Sequence, residues 1–149
     1  MKIFLASDHA GFKLKSKVIS WLREWEHDPI DLGAYSYKAG DDYPDFIRLV
    51  AKEVSKKPNE CRGIVFGKSG EGEAMVCNRY RKVRATVYYG GNREIIKLSR
   101  QHNDANVLSI GADFVEESEV KEMIKLWLDI SFSEEAKHIR RINKIDLKK

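Results

Sequence analysis

Long apolar runs are missing from this 149-residue sequence, although 42% of its residues are hydrophobic. None approaches the roughly 18 residues that a membrane-spanning helix needs, so no association with a membrane is expected. The opening Met1–Asp8 stretch breaks its apolar run at an acid after a few positions, too early for a signal-peptide core. A cytoplasmic location follows as the expectation. Cysteine is scarce as well: Cys61 and Cys77 stand apart, without the CxxC pairing of zinc or redox sites, and read as reduced, buried thiols. Two nucleotide signatures are also absent. The first candidate strand is not followed by G-x-G-x-x-G, which disfavours hydride transfer from a dinucleotide. The Gly67-Lys68-Ser69 triplet has Arg62 where a Walker A loop needs its first glycine.

The sequence does carry charge, 34% of all residues with a net +4. Much of the excess lies in Lys137, Arg140, Arg141, Lys144, Lys148 and Lys149, opposed there by Asp146 alone. Such a cluster suits nucleic acid, a solvated helix face or a phosphate clamp. No aromatic residue interleaves it, which ranks nucleic acid last. At this length one core suffices, since a chain of about 150 residues buries roughly 68–70% of its unfolded surface. Residues 1–149 are therefore read as a single domain.

Short apolar runs alternate with amphipathic stretches, the rhythm of repeated βα units around a parallel sheet. Candidate strands are Lys2–Ala6, Asp28–Leu32, Gly63–Phe66, Arg84–Tyr88 and Asn106–Ile110. Helical spacing is carried by Phe12, Val18, Ile19 and Leu22, by Phe46, Val50 and Val54, by Ile95, Ile96 and Leu98, and by Val120, Met123, Ile124, Trp127 and Leu128. Ligands of such sheets gather beyond the carboxyl ends of the strands. Ser7–Gly11, Gly67–Glu73 and Gln101–Asn106 are the segments expected there.

Each segment has a chemical and a structural reading. Asp8 and His9 put a carboxylate and an imidazole at the ligand edge, but Asp8 also suits a helix N-cap. The glycines at 67, 70 and 72 let backbone N–H groups approach an anion or a developing oxyanion, with Lys68, Ser69 and Glu71 on the same loop; an ordinary tight turn has the same composition. Glu73 is a candidate base whose carboxyl would need burial to be useful at neutral pH, or a first-turn acid favouring the helix dipole. Lys137 and Arg141, four apart, would share a helical face and give a phosphate two cationic contacts.

Taken together, the motifs resemble the type B ribose-5-phosphate isomerases, a family that includes the galactose-6-phosphate isomerase subunits. The resemblance runs from Ile3 to about Ile145. It is carried by SDHAGF at Ser7–Phe12, DLG at Asp31–Gly33, DYPDF at Asp42–Phe46, SGEGE at Ser69–Glu73 and CNR at Cys77–Arg79. VRA at Val83–Ala85, LSRQHNDANVLSIGA at Leu98–Ala112 and KHIRRI at Lys137–Ile142 continue it.

The resemblance implies a Rossmann-like three-layer αβα sandwich with a five-stranded parallel sheet and a C-terminal helix extending to a dimer partner. It implies an aldose–ketose isomerase, without metal or cofactor, that opens a sugar-phosphate ring and moves a proton between C1 and C2 through a cis-enediolate. His102 would assist ring opening with Asp8 nearby, while Ser69 and the amides of Gly70–Gly72 hold the enediolate oxygens. Many members carry a catalytic cysteine where this chain has Gly67. A second branch uses a glutamate after the glycine loop, and Glu73 falls on that position. His9, Lys137, His138 and Arg141 would contact phosphate, with Tyr43 and Asn103 completing a pocket between two subunits. The expected partners are a small sugar phosphate and a second copy, with pairing of dimers open.

Three positions depart from the family pattern. Lys137 stands in place of an arginine and loses its planar fork, Lys68 replaces a glycine, and Asp113 follows Gly111-Ala112 where an arginine is usual. Ribose 5-phosphate is the expected substrate. A hexose 6-phosphate (allose or galactose 6-phosphate) and a non-catalytic sugar-phosphate-binding module are the alternatives.

Overall fold

In strand β1 (Lys2–Ser7) successive side chains enter opposite layers: Ile3 and Leu5 join one apolar cluster, and Phe4 and Ala6 the other. A strand apolar on both faces needs helices above and below it, and the chain supplies them. A computed structural model describes residues 1–146. After β1 come α1 (Phe12–Glu24), β2 (Asp28–Asp31), α2 (Tyr43–Lys56), β3 (Cys61–Gly67), α3 (Glu71–Cys77) and β4 (Ala85–Tyr88). Then follow α4 (Glu94–Gln101), β5 (Val107–Gly111), α5 (Glu117–Asp129) and α6 (Ala136–Ile142). Lys148 and Lys149 of the basic tail lie outside the described residues.

The five strands are all parallel, in the order β2-β1-β3-β5-β4. From β1 the chain first moves outward to β2 and then crosses back to β3, so strand order reverses between β1 and β3. The crevice outside their carboxyl ends is where such sheets hold ligands. One layer is built from Val18, Trp21, Leu22, Ile96, Val120, Met123, Ile124 and Trp127 on α1, α4 and α5. The other is built from Ile47, Val50, Ala51, Val54 and Cys77 on α2 and α3. The three-layer αβα sandwich with a five-stranded parallel sheet is thus what the βα rhythm and the family resemblance indicate.

Local departures are informative. Ile95 is exposed while Ile96 is buried, so the core stripe of α4 runs through Ile96, Ser99 and Arg100. Asp8 is not the N-cap of α1, a position held by Gly11. Cys61 and Cys77 are free and buried, and burial pushes the Cys77 thiol up to about 12, leaving it protonated and unreactive.

The largest difference concerns Gln101–Asn106. This segment precedes β5 and therefore lies at the amino edge of the sheet, opposite the carboxyl ends where it was expected. The reason is topological: in a parallel βα fold, strand-to-helix turns lie on the ligand edge and helix-to-strand turns on the other.

Candidate active site

The turn after β1 is shaped by Asp8. Its Oδ1 accepts the backbone N–H groups of Ala10 at 3.0 Å and Gly11 at 3.2 Å, which folds the chain sharply into α1 and fixes the carboxylate. His9 is held from across the crevice. Oδ1 of Asp41 accepts both the His9 backbone N–H at 2.9 Å and its Nδ1–H at 2.7 Å. Asp8 Oδ2 stands 3.9 Å from the same nitrogen. The Asp41 hydrogen bond raises the His9 pKa above the ordinary histidine value, and the charge of Asp8 adds to it against a smaller cost of burial. Asp8, His9 and Asp41 also bring possible metal-ligand atoms within 4.8 Å of one another, the one such group among the described residues. The His9–Asp41 bond already occupies one atom of each.

The turn after β3 is built on two glycine positions. Gly70 adopts φ +80°, a conformation that side-chain-bearing residues rarely take, and Ser109 Oγ donates to its carbonyl at 2.5 Å. At Gly67 the space for a side chain is already full: an added Cβ would stand 1.8 Å from Glu73 Oε1. Ser69 Oγ accepts the Glu71 N–H at 3.3 Å, and Tyr43, heading α2, covers Gly72. Lys68 and Glu71 are exposed.

Glu73 itself is only 4% exposed. Burial raises its pKa above the ordinary carboxylate value; its own backbone N–H opposes this, and the nearby charge of Asp8 adds to it. A desolvated carboxylate therefore stands against Gly67 of the glycine loop and near Asp8 at the β1/β3 crevice. That arrangement can take a proton from carbon beside a carbonyl while donors receive the charge left on oxygen.

The remaining candidates form a second group at the opposite edge. His102 ends α4, and its ring stacks on His138 of α6 with centroids 4.2 Å apart and planes 14° from parallel. His138 is buried, its Nε2 has no hydrogen-bond partner, and burial followed by the charge of His102 lowers its pKa. Its ring backs His102 and is not open to solvent in the protomer. Lys137 and Arg141 are exposed on α6, with Lys137 paired to Glu135 at 2.8 Å, and Asn103, next to His102 in sequence, is exposed.

A network holds this turn, formed by residues inside the VRA and LSRQHND motifs to which the sequence assigns no role. Asp104 pairs with Arg84 and with buried Arg100, each at 2.8 Å, and Arg100 also donates to the Ala105 carbonyl at 2.6 Å. Asp41 is likewise new; its only local trace is the Asp41-Asp42 doublet ahead of Tyr43. Five strand residues separate the two groups, a span of roughly 17 Å at ~3.3 Å per residue. Within one protomer Glu73 and His102 do not meet.

Comparison with known proteins gives a consistent picture. The sequence model of the ribose/galactose isomerase family matches residues 3–145. Ribose-5-phosphate isomerase B of Mycolicibacterium paratuberculosis is 36% identical over 143 residues, covering 96% of this chain and 88% of that protein. The crystal structure of ribose-5-phosphate isomerase B from Mycoplasma genitalium with bound ribulose-5-phosphate superposes with a TM-score of 0.91 at 37% identity, covering 97% of this chain and 93% of that one. The Clostridium thermocellum enzyme gives a TM-score of 0.88 at 36% identity, covering 97% and 95%.

Proposed function

Because the chain belongs to the ribose/galactose isomerase family, we propose that it interconverts ribose 5-phosphate and ribulose 5-phosphate by proton transfer between C1 and C2. The observation that carries this reading is the buried Glu73 carboxylate, pressed against Gly67 and raised in pKa beside Asp8. Glu73 removes the proton from one carbon and returns it to the other. Ser69 and the amides of Gly70–Gly72 receive the oxygens of the cis-enediolate, and one such donor is worth on the order of 3 kcal/mol. The loop offers these donors on a backbone fixed by the Ser109–Gly70 hydrogen bond.

The second half of the site comes from another copy of the chain. Glu73 and His102 lie on opposite sheet edges in the protomer, so a homodimer that sets the amino edge of one subunit against the carboxyl edge of the other completes the pocket. His102 of the partner subunit then opens the sugar ring. Asn103, Lys137, His138 and Arg141 enter on the same side, with Lys137 and Arg141 toward the phosphate and His138 behind His102. His9 meets the phosphate from the Glu73 side, and Tyr43 covers the loop.

No helix among the described residues is long and apolar enough to cross a membrane. With a charged sugar ester as substrate and two free, buried thiols, the reading places the enzyme in the cytoplasm.

A coupled assay across pentose and hexose phosphates tests the activity. Turnover fastest on ribose 5-phosphate, and nearly abolished in Glu73→Gln with binding retained, is the expected result. Faster turnover of a hexose 6-phosphate would reassign the substrate, and binding without turnover would make the protein a sensor.

A further inference from the structure

The loop joining β2 to α2 is tied down at both ends. At its start Ser7 N–H donates to the Gly33 carbonyl and Ala34 N–H to the Ser7 carbonyl, both at 2.8 Å. Lys15, fully buried, donates from Nζ to the Ala34 carbonyl at 2.7 Å and to Asp31 at 2.6 Å. At its end Asp42 occupies the N-cap position of α2, without a side-chain hydrogen bond, and its carbonyl accepts the Asp45 N–H at 3.1 Å. The loop thereby delivers Asp41 to a fixed place thirty-two residues along the chain from His9.

Asp41 does two things there. By accepting the backbone N–H and Nδ1–H of His9 on one oxygen, it sets the side chain relative to the main chain and leaves Nε2 as the ring nitrogen available to a ligand. The Tyr37 ring stands edge-on to the imidazole, with centroids 6.2 Å apart. The other Asp41 oxygen, Oδ2, is buried with no hydrogen-bond partner. A buried carboxylate with an unfilled oxygen requires a neighbouring positive charge, and His9 is the group placed to supply it.

We propose that Asp41 is the positioning residue that makes His9 a cationic anchor for the substrate phosphate, aimed through Nε2. This rests on the reading, given above, that His9 meets the phosphate. The site's other described residues make such an anchor valuable. Asp8, Glu73 and Asp113 put negative charge around this edge, and Asp113 stands where an arginine was expected. A neutral imidazole would offer phosphate one ordinary hydrogen bond, whereas an imidazolium offers a charge-assisted one of roughly twice the strength.

The groups facing His9 are Asp8 from its own turn, and Asp41 and Tyr37 from the β2–α2 loop. Glu73 of α3 is the next acid, close enough to Asp8 to feel its charge. Both aspartates favour the protonated ring, so His9 keeps its charge to higher pH than an ordinary histidine does.

Asp41→Asn keeps the shape and the acceptor oxygen but removes the charge. The proposal expects the His9 titration, followed by imidazole NMR in the ligand-free protein, to move to lower pH in this variant. KM for ribose 5-phosphate should rise on the order of tenfold at neutral pH, the equivalent of one pK unit, and by a larger factor than kcat falls. The rise of KM with pH should begin at lower pH than in the wild type, and Asp41→Glu should recover part of the loss. An unchanged His9 titration, or equal losses in kcat and 1/KM, overturns it. A parallel titration of the wild type with inorganic phosphate isolates the underlying reading. If phosphate leaves the His9 resonances unmoved, His9 is not the anchor and the proposal falls with that reading. If they move while Asp41→Asn changes nothing, only the role of Asp41 falls.

Discussion

Glu73 and Gly67 share one volume: the carboxylate of the first fills the space that a side chain on the second would need, 1.8 Å from an ideal Cβ. The glycine is thus a condition for the glutamate. It also gives a physical reason why any side chain at position 67 and a buried carboxylate at Glu73 exclude one another.

Gly67→Ala should therefore injure activity more than stability. The atoms in the way are the end of a flexible side chain, which can swing aside, so the fold survives while the base moves. A displacement of about 1 Å at a reacting group can cost roughly 10²-fold in rate, and a kcat loss of that order is expected. Gly67→Cys should behave alike. Wild-type kcat in either variant would show that the shared volume is not needed for catalysis.

The raised pKa of Glu73 has opposite signs for activity and stability. As a base it must be ionised, so kcat/KM should rise with pH through its elevated titration. For stability, a carboxyl raised above its unfolded value contributes fully below the ordinary carboxylate range, and that contribution is lost as pH climbs through the folded pKa. At neutral pH the buried charge is a burden. Glu73→Gln should accordingly raise Tm by a few degrees at pH 7, at roughly 2–4 °C per kcal/mol for a chain of this size, and by less at pH 4. Equal Tm differences at both pH values would show that burial does not penalise the charge.

The proposed division of the site between two subunits makes a quantitative prediction for mixed dimers. Glu73→Gln and His102→Asn are each expected to be inactive as homodimers. When the two are unfolded, mixed in equal amounts and refolded, half of the dimers are mixed, and in each of these one site is wild-type at both positions. Activity should recover to roughly a quarter of the wild-type value. No recovery, with mixed dimers demonstrated by mass spectrometry, would place both residues in one protomer's site.

Asp113 is exposed just past β5, its N–H donating to the Lys68 carbonyl at 3.2 Å. With the phosphate bound at this edge, as proposed, an acid here opposes the anionic substrate. Asp113→Arg should lower KM for ribose 5-phosphate several-fold, most clearly at low ionic strength, through a charge-assisted or bidentate contact. If kcat/KM did not improve, this position would not limit phosphate binding.

What was legible in the sequence was local. Apolar runs such as Ile64–Phe66 and Val107–Ile110 define strands because a strand covered on both sides must be apolar at successive positions. The glycine loop and Glu73 were readable for a related reason, since turn, close approach and base fall within seven residues of Gly67. Of the α4 stripe read as Ile95, Ile96 and Leu98, Ile96 is buried and Leu98 half-buried, while Ile95 is apolar yet exposed and Arg100 is charged yet buried through its bonds to Asp104 and Ala105. No periodicity anticipates a buried arginine.

The sequence by itself determined the alternation of strands and helices, the chemistry on the loop after β3 and the family to which the chain belongs, because each depends on residues near one another or on motifs in fixed order. Only the tertiary structure decided that Asp41 holds His9, that Glu73 fills the space beside Gly67, and that His102 turns away to the far edge of the sheet. Those relations depend on strand order and on which end of a strand a turn occupies. Chain crossings set both, and neither leaves a trace in the spacing of neighbouring residues.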